Sequence, residues 1–394
     1  MKAETDSAHS SASAPVRALN PLSNGRITID LGALARNWRA LSGRHSVTSE
    51  CGAVVKANAY GIGIKPAAEA LYAAGARTFF VATPDEGLEL RAILPGAGIY
   101  ILNGLYPGAA GAYAENGLRP ILGSLPQVEE WADFLRHSDL ILPAGLHVCT
   151  GINRLGLSIS EAENLAATIG NYAPFSPDLV MSHLACADDP GHPMNARQRD
   201  RFEHVSRLFP GARHSLANSG GIMIGPDYHF DLTRPGIALY GAKAGITADT
   251  PLETVVTVEA RLLMVRTLRQ GETIGYGARF TAPQDMRAGL VAIGYADGFL
   301  RRAGGTDERE GANFHLSGKD LPVVGRVSMD QTVVDVSHVP ESELTPGTMI
   351  EVFGPNMPID RTAERAGTIG YEFLTALGRR FGREYIDAPA GVQT

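Results

Sequence analysis

From Arg26 to about Gly241, short β-rich runs alternate with Ala-, Glu- and Arg-containing stretches of helical character, which restricts this part of the chain to repeated βα units. Candidate strands fall at 52–57, 78–82, 98–103, 119–122, 144–149, 179–183, 214–217 and 237–240, with 230–233 competing for the last place. Eight such units match a TIM barrel. A doubly wound sheet shares the alternation, but it calls for a Gly-rich dinucleotide fingerprint directly after a first strand, and none stands there. Past about Pro251 the texture becomes mainly β, as at 254–265, 290–293, 322–327 and 332–336. The expected class is α/β: an N-terminal (β/α)8 TIM barrel over 26–250, followed by a C-terminal mainly-β domain over 251–394. Residues 1–25, rich in Ala and Ser, read as a disordered tail.

A TIM barrel places its chemistry at the C-terminal ends of its strands. Lys56 closes the first candidate strand, His183 the sixth, Ser219 follows the seventh, and Arg234 lies close to the eighth. A lysine at a strand end can shed its proton and attack a carbonyl, although a solvated edge lysine is the commoner meaning of that position. His183 alone reads equally as a hydrogen-bonded barrel histidine, and the cluster around Ser219 as a plain turn.

Composition narrows the partners. The formal net charge of -7 and the lack of a dense Lys/Arg run exclude a polyanionic partner such as nucleic acid. The three cysteines, Cys51, Cys149 and Cys186, have no close paired spacing, so no zinc cluster or other metal site and no disulfide framework is expected. The N-terminal stretch lacks the apolar core of a secretory signal. No apolar run approaches the roughly 20 residues needed to cross a bilayer, so a cytoplasmic protein without membrane contact is expected.

The segment Ala53-Val54-Val55-Lys56-Ala57-Asn58-Ala59-Tyr60-Gly61 resembles the pyridoxal phosphate site of the alanine racemases. The resemblance implies pyridoxal 5'-phosphate joined covalently to Lys56, which serves as acid/base on one face of the substrate. Ile274-Gly275-Tyr276-Gly277 resembles the segment that supplies the opposite-face base, here Tyr276. A racemase needs two such groups, because the proton leaves one face and returns to the other. Ser182-His183-Leu184-Ala185 and Arg234-Pro235-Gly236 carry the supporting pair, His183 and Arg234, which would polarise Tyr276. Arg234 also matches the arginine that faces the cofactor ring nitrogen, and because it keeps its proton that nitrogen stays neutral.

By the same resemblance Tyr60, Ser219, Gly236, Ile237 and Tyr371 bind the cofactor phosphate, while Arg154 and the main chain near Met329 bind the substrate carboxylate. Tyr295, Asp188, Arg301, Arg326 and Ile369 match positions lining the entry channel. The family assembles head to tail as a homodimer, so Tyr276 and Met329 would act on the partner's site. Two positions depart from the family pattern: His147 and Cys149 stand where many members have a lysine, often carbamylated, and an aspartate. Arg154 then needs other support: an anion such as chloride, His147 itself, or water. Alanine is the expected substrate. The alternatives are serine or another amino acid, a barrel decarboxylase, and a non-enzymatic cofactor-binding protein, which the β domain and Arg234 disfavour.

Overall fold

The computed structural model describes residues 20–45, 48–243, 252–389 and 392. Of the predicted tail over 1–25, residues 1–19 lie outside the described residues, as does the boundary near 250, whereas Ser23 N–H donates to the Asn20 carbonyl at 2.9 Å and Gly25 already opens a strand. The first strand, β1 (Gly25–Asp30), is followed by a helix over Leu31–Ser42 whose N-terminus is capped by the Asp30 side chain. Barrel strands then follow as β2 (Glu50–Cys51), β3 (Ala53–Val54), β4 (Thr78–Val81), β5 (Gly98–Ile101) and β6 (Leu118–Leu122). They continue as β7 (Gly145–His147), β8 (Leu179–Met181), β9 (Arg213–Ser215) and β10 (Leu232–Thr233).

Strands β3 to β9 form a continuous parallel sheet of seven strands in sequence order. The remaining gap is closed by β10. On one side Asp231 and Arg234 donate backbone N–H groups to His214 and Ala217 at 3.0 and 2.9 Å. On the other, β10 pairs in parallel with β2, and the Val54 N–H reaches the Pro235 carbonyl at 3.0 Å. All four residues of β4 are buried, as expected of a strand covered on both faces.

Three readings of the sequence change. The eighth strand is Leu232–Thr233, and Ile237–Tyr240 is a 3-10 helix instead, closed by Leu239 N–H to Gly236 carbonyl at 2.9 Å. An apolar run buried on every side carries no period to separate strand from helix. The first strand stops at Val54, and Lys56 opens a separate turn. The segment from Arg26 does not start the barrel, because β1 pairs antiparallel with β11 (Val256–Leu268) and parallel with Gly382–Ile386. Its alternating buried and half-buried residues are the signature of a sheet covered on one face.

The β domain is built on β11, which also pairs with Met286–Val291 and Met349–Phe353. A hairpin of Thr273–Ile274 with Phe280–Thr281 projects from it. It rests on a small cluster of Leu268, Ile274, Ala282, Met286, Ala288 and Val324, separate from the main core. Among the described residues no helix is long and apolar enough to cross a membrane.

Candidate active site

Lys56 stands two residues beyond β3, where the chain leaves the barrel wall. The next four residues, Ala57, Asn58, Ala59 and Tyr60, all have φ between 52 and 55°, a left-handed turn made without glycine. Each such residue costs about 1–2 kcal/mol against the right-handed form, so the surroundings must hold the turn. Glu86 accepts the Ala57 N–H at 2.5 Å, and the Asn58 side chain accepts the Ile64 N–H at 2.8 Å. Gly61 ends the turn at φ 85°, where a Cβ would lie 2.2 Å from the Leu374 carbonyl oxygen. From the strand Gly382–Ile386, Tyr385 donates to the Ile62 carbonyl at 2.7 Å and Arg383 to the Gly61 carbonyl at 3.1 Å.

At the C-terminal mouth of the barrel lies a cavity of about 460 Å³. Lys56, His147, Arg154, His183 and Arg234 all line it, and among the described residues no carboxylate does. Burial pulls the Lys56 amine below its ordinary value, Arg154 adds to this, and Glu86 opposes it. A lysine whose neutral form is favoured is prepared to act as nucleophile or base. Arg234 is buried with donors to the Ser215 hydroxyl, the Ser182 carbonyl at 2.6 Å and the Leu216 carbonyl at 3.3 Å. Burial pushes it down to about 9, which still leaves it charged at neutral pH. Burial, then Arg234 and Arg154, hold His183 well below 6.5 and His147 down to about 4. Both imidazoles are therefore neutral at pH 7.

A second set of residues forms a cradle for an anion. Ser219 opens a short helix, and its hydroxyl accepts the Gly236 N–H at 2.8 Å and the Ala238 N–H at 3.3 Å. The 3-10 helix over Ile237–Tyr240 begins beside it, with first-turn N–H groups that have no acceptor within a helix. Tyr60 packs over this point: a Cβ on Gly236 would lie 2.3 Å from its hydroxyl. Its ring stacks on Tyr240 at 4.5 Å and lies 5.8 Å from Tyr371. Together with the cationic wall, these donors suit a phosphorylated cofactor. Nη and Nζ donors further along the cavity suit a carboxylate and a carbonyl.

The chain as a monomer does not assemble every residue singled out from the sequence. Lys56, Tyr60, Arg154, His183, Ser219, Arg234, Gly236, Ile237 and Tyr371 line the one cavity. Asp188 and Ile369 line a neighbouring cavity of about 420 Å³ that shares His183 and Tyr371 with it. Tyr276 lies between Ile274 and Phe280 at the hairpin tip, 71% exposed, and is absent from both linings. Met329, 53% exposed, is likewise absent from both, as are Tyr295, Arg301 and Arg326. The Arg154 guanidinium makes no hydrogen bond or ion pair among the described residues, and His147 Nε2 is buried without a partner. His147 therefore does not hold Arg154 here.

Residues 29–244 match the N-terminal domain of alanine racemases and residues 255–385 match their C-terminal domain. The chain belongs to the alanine racemase family. Alanine racemase of Rhizobium meliloti is 52% identical over 370 residues, covering 92% of this chain and 97% of that protein. A biosynthetic alanine racemase of Agrobacterium fabrum is 47% identical, covering 92% and 94%. The crystal structure of alanine racemase from Bartonella henselae with covalently bound pyridoxal phosphate aligns with a TM-score of 0.86 at 38% identity, covering 93% of this chain and all of that one.

Around this alanine racemase family site stand supports that the sequence reading did not single out. The Gln198 side chain accepts the Ala185 N–H at 2.8 Å and donates to the His183 carbonyl at 2.8 Å and the Thr150 hydroxyl at 3.2 Å. It thus joins the loops that carry Arg154 and His183. A lone glutamine inside the helix Pro193–Leu208 carries no sequence signal for this. Glu86 does carry one, since Thr83-Pro84-Asp85-Glu86 is a capping box at a helix start.

Proposed function

We propose that the chain is an isomerase that interconverts L-alanine and D-alanine, with pyridoxal 5'-phosphate carried on Lys56. The observation that supports this most is the convergence of Lys56, Arg154, His183 and Arg234 on one cavity beside the Ser219–Gly236 cradle. When bound, the cofactor supplies an electron sink for the charge left as the α-proton departs. Ser219, Tyr60, Tyr371 and the main chain at Gly236 and Ile237 hold its phosphate. Lys56 takes or returns the proton on one face, and burial, which lowers its proton affinity, makes its neutral form more accessible. Arg234 stays protonated and donates toward the ring nitrogen, which restrains side reactions of the deprotonated substrate. Arg154 and the main chain near Met329 take the substrate carboxylate.

Tyr276 is the base for the other face. Its exposure on the hairpin, away from the chain's own cavity, supports a head-to-tail homodimer in which each β domain completes the partner's barrel mouth. The functional units are the barrel, which begins after β1 and runs to about 243, and the β domain from about 252, whose sheet takes in β1, in a cytoplasmic protein. Tyr371, with the partner's Tyr276 and the partner's Met329, crowds the substrate methyl group, so alanine is favoured over serine.

Purified protein should racemise D-alanine faster than any other amino acid of a panel, and Lys56→Ala should abolish both racemisation and covalent cofactor. Mixing Lys56→Ala with Tyr276→Phe chains tests the assembly. Each mixed dimer then holds one intact site, and random reassortment restores roughly one quarter of wild-type activity. No recovery after reassortment would refute catalysis in trans.

A further inference from the structure

Glu86 sits at the third position of the helix Pro84–Ile93, where a glutamate ordinarily only turns back on its own helix start. Here the carboxylate does more. Its Oε2 accepts the N–H groups of Ala82 at 2.8 Å and Thr83 at 3.4 Å, while Oε1 reaches across to the Ala57 N–H at 2.5 Å. The bond to Ala57 plays no part in the helix cap. Ala57 directly follows Lys56 and is the first residue of the left-handed turn, so one side chain joins the end of β4 to the start of that turn.

We propose that Glu86 is a positioning residue for the racemisation: it fixes the turn that aims Lys56 and provides the carboxylate that acts on the Lys56 amine. The proposal rests on the assignment of Lys56 above. The groups that face Lys56 are Arg154 and His183 from the loops after β7 and β8, and Glu86 from the first turn of the helix after β4. Burial and then Arg154 disfavour the ammonium form, and Glu86 alone among these favours it. Two acceptor oxygens are needed for the amides of both loops. A glutamine retains one and turns an NH2 group against the other N–H.

The test compares Glu86→Gln, Glu86→Ala and Thr83→Ala holoenzymes. Thr83→Ala removes the threonine side of the cap but leaves the Glu86–Ala57 bond, so it lowers the melting temperature and leaves kcat unchanged. Glu86→Ala lowers kcat by about 100-fold, with KM for alanine changed far less, because the reacting amine is displaced and not the substrate site. In both Glu86 variants the acid limb of kcat moves to lower pH, since losing the carboxylate lowers the proton affinity of Lys56. Hydrogen exchange in a peptide spanning 53–62 speeds up in both. If Glu86→Ala does not fold, Glu86→Gln decides.

Wild-type kcat and an unmoved acid limb in the Glu86 variants would overturn the proposal, as would an equal loss in Thr83→Ala. Covalent cofactor retained by Lys56→Ala would instead overturn the assignment on which it rests. Borohydride reduction and peptide mapping distinguish the two failures, because the cofactor mass stays on the Lys56 peptide when only Glu86 has been misread.

Discussion

Arg234 donates to the backbone carbonyl of Ser182 at 2.6 Å, so the guanidinium that follows β10 is clamped to the residue preceding His183. The same fork reaches the Ser215 hydroxyl and the Leu216 carbonyl, all in buried surroundings. A lysine offers a single point charge to these three acceptors. Arg234→Lys should lower unfolding stability by about 1–3 kcal/mol through unsatisfied buried acceptors, read by urea melts. Racemisation should fall with it, and an unchanged rate would show that the fork is structural only.

Tyr276→Phe should leave the cofactor absorbance intact, because Lys56 and the Ser219–Gly236 cradle that hold the cofactor are untouched. Racemisation should drop by about 10²–10⁴-fold, the range for losing one acid/base group. Lys56 remains, so proton NMR in D2O should show α-deuterium entering one enantiomer without inversion. Exchange into both enantiomers at equal rates would remove Tyr276 from the scheme.

His147 has a folded value of about 4 against an ordinary 6.5, lowered by burial and then by Arg234 and Arg154. The unfolded chain takes up a proton as pH falls through 6.5, whereas the folded protein does not until about 4. The folded form is thus disfavoured across this window, with stability fully present above it. The loss attributable to His147 should be about 3 kcal/mol. Urea melts at pH 7, 5.5 and 4.5 should show a flatter pH dependence for His147→Asn than for the wild type.

Gly236→Ala should weaken cofactor retention at least about tenfold, since the new methyl group meets the Tyr60 hydroxyl at 2.3 Å. The second-nearest atom, the ring carbon bearing that hydroxyl, lies at 3.2 Å. Removing the oxygen therefore relieves most of the clash, and the substitution should cost less in a Tyr60→Phe background. Equilibrium dialysis of the cofactor across the four proteins measures that coupling, and strict additivity would count against it.

Four residues of the cavity were legible from the sequence because each lies in a short local motif at or just after a strand end, whereas Tyr371, on the helix Gly370–Ala376, was reached only through the family resemblance. Lys56, His183, Ser219 and Arg234 lie where a barrel must gather them, and they do line one cavity. The left-handed turn after Lys56 was not legible. Only Asn58 in Ala57-Asn58-Ala59-Tyr60 tolerates positive φ readily, and contacts with Glu86, Arg383 and Tyr385 decide the other three. The eighth strand was placed too late because Ile237–Tyr240 is apolar without a period. The partner of β1 was equally hidden, since its pairing to β11 spans more than two hundred residues of chain.

From its order of residues alone this protein was determined to be a barrel with a β domain, carrying Lys56 in a pyridoxal phosphate motif. Those properties follow from local hydrophobic period and from residues adjacent in the chain. Only the tertiary structure decided that a half-buried Lys56 shares its cavity with Arg154, Arg234 and two neutral histidines, while Tyr276 stands exposed on a separate hairpin. Burial and charge at a site depend on which distant segments meet there, and closure of the barrel makes that choice.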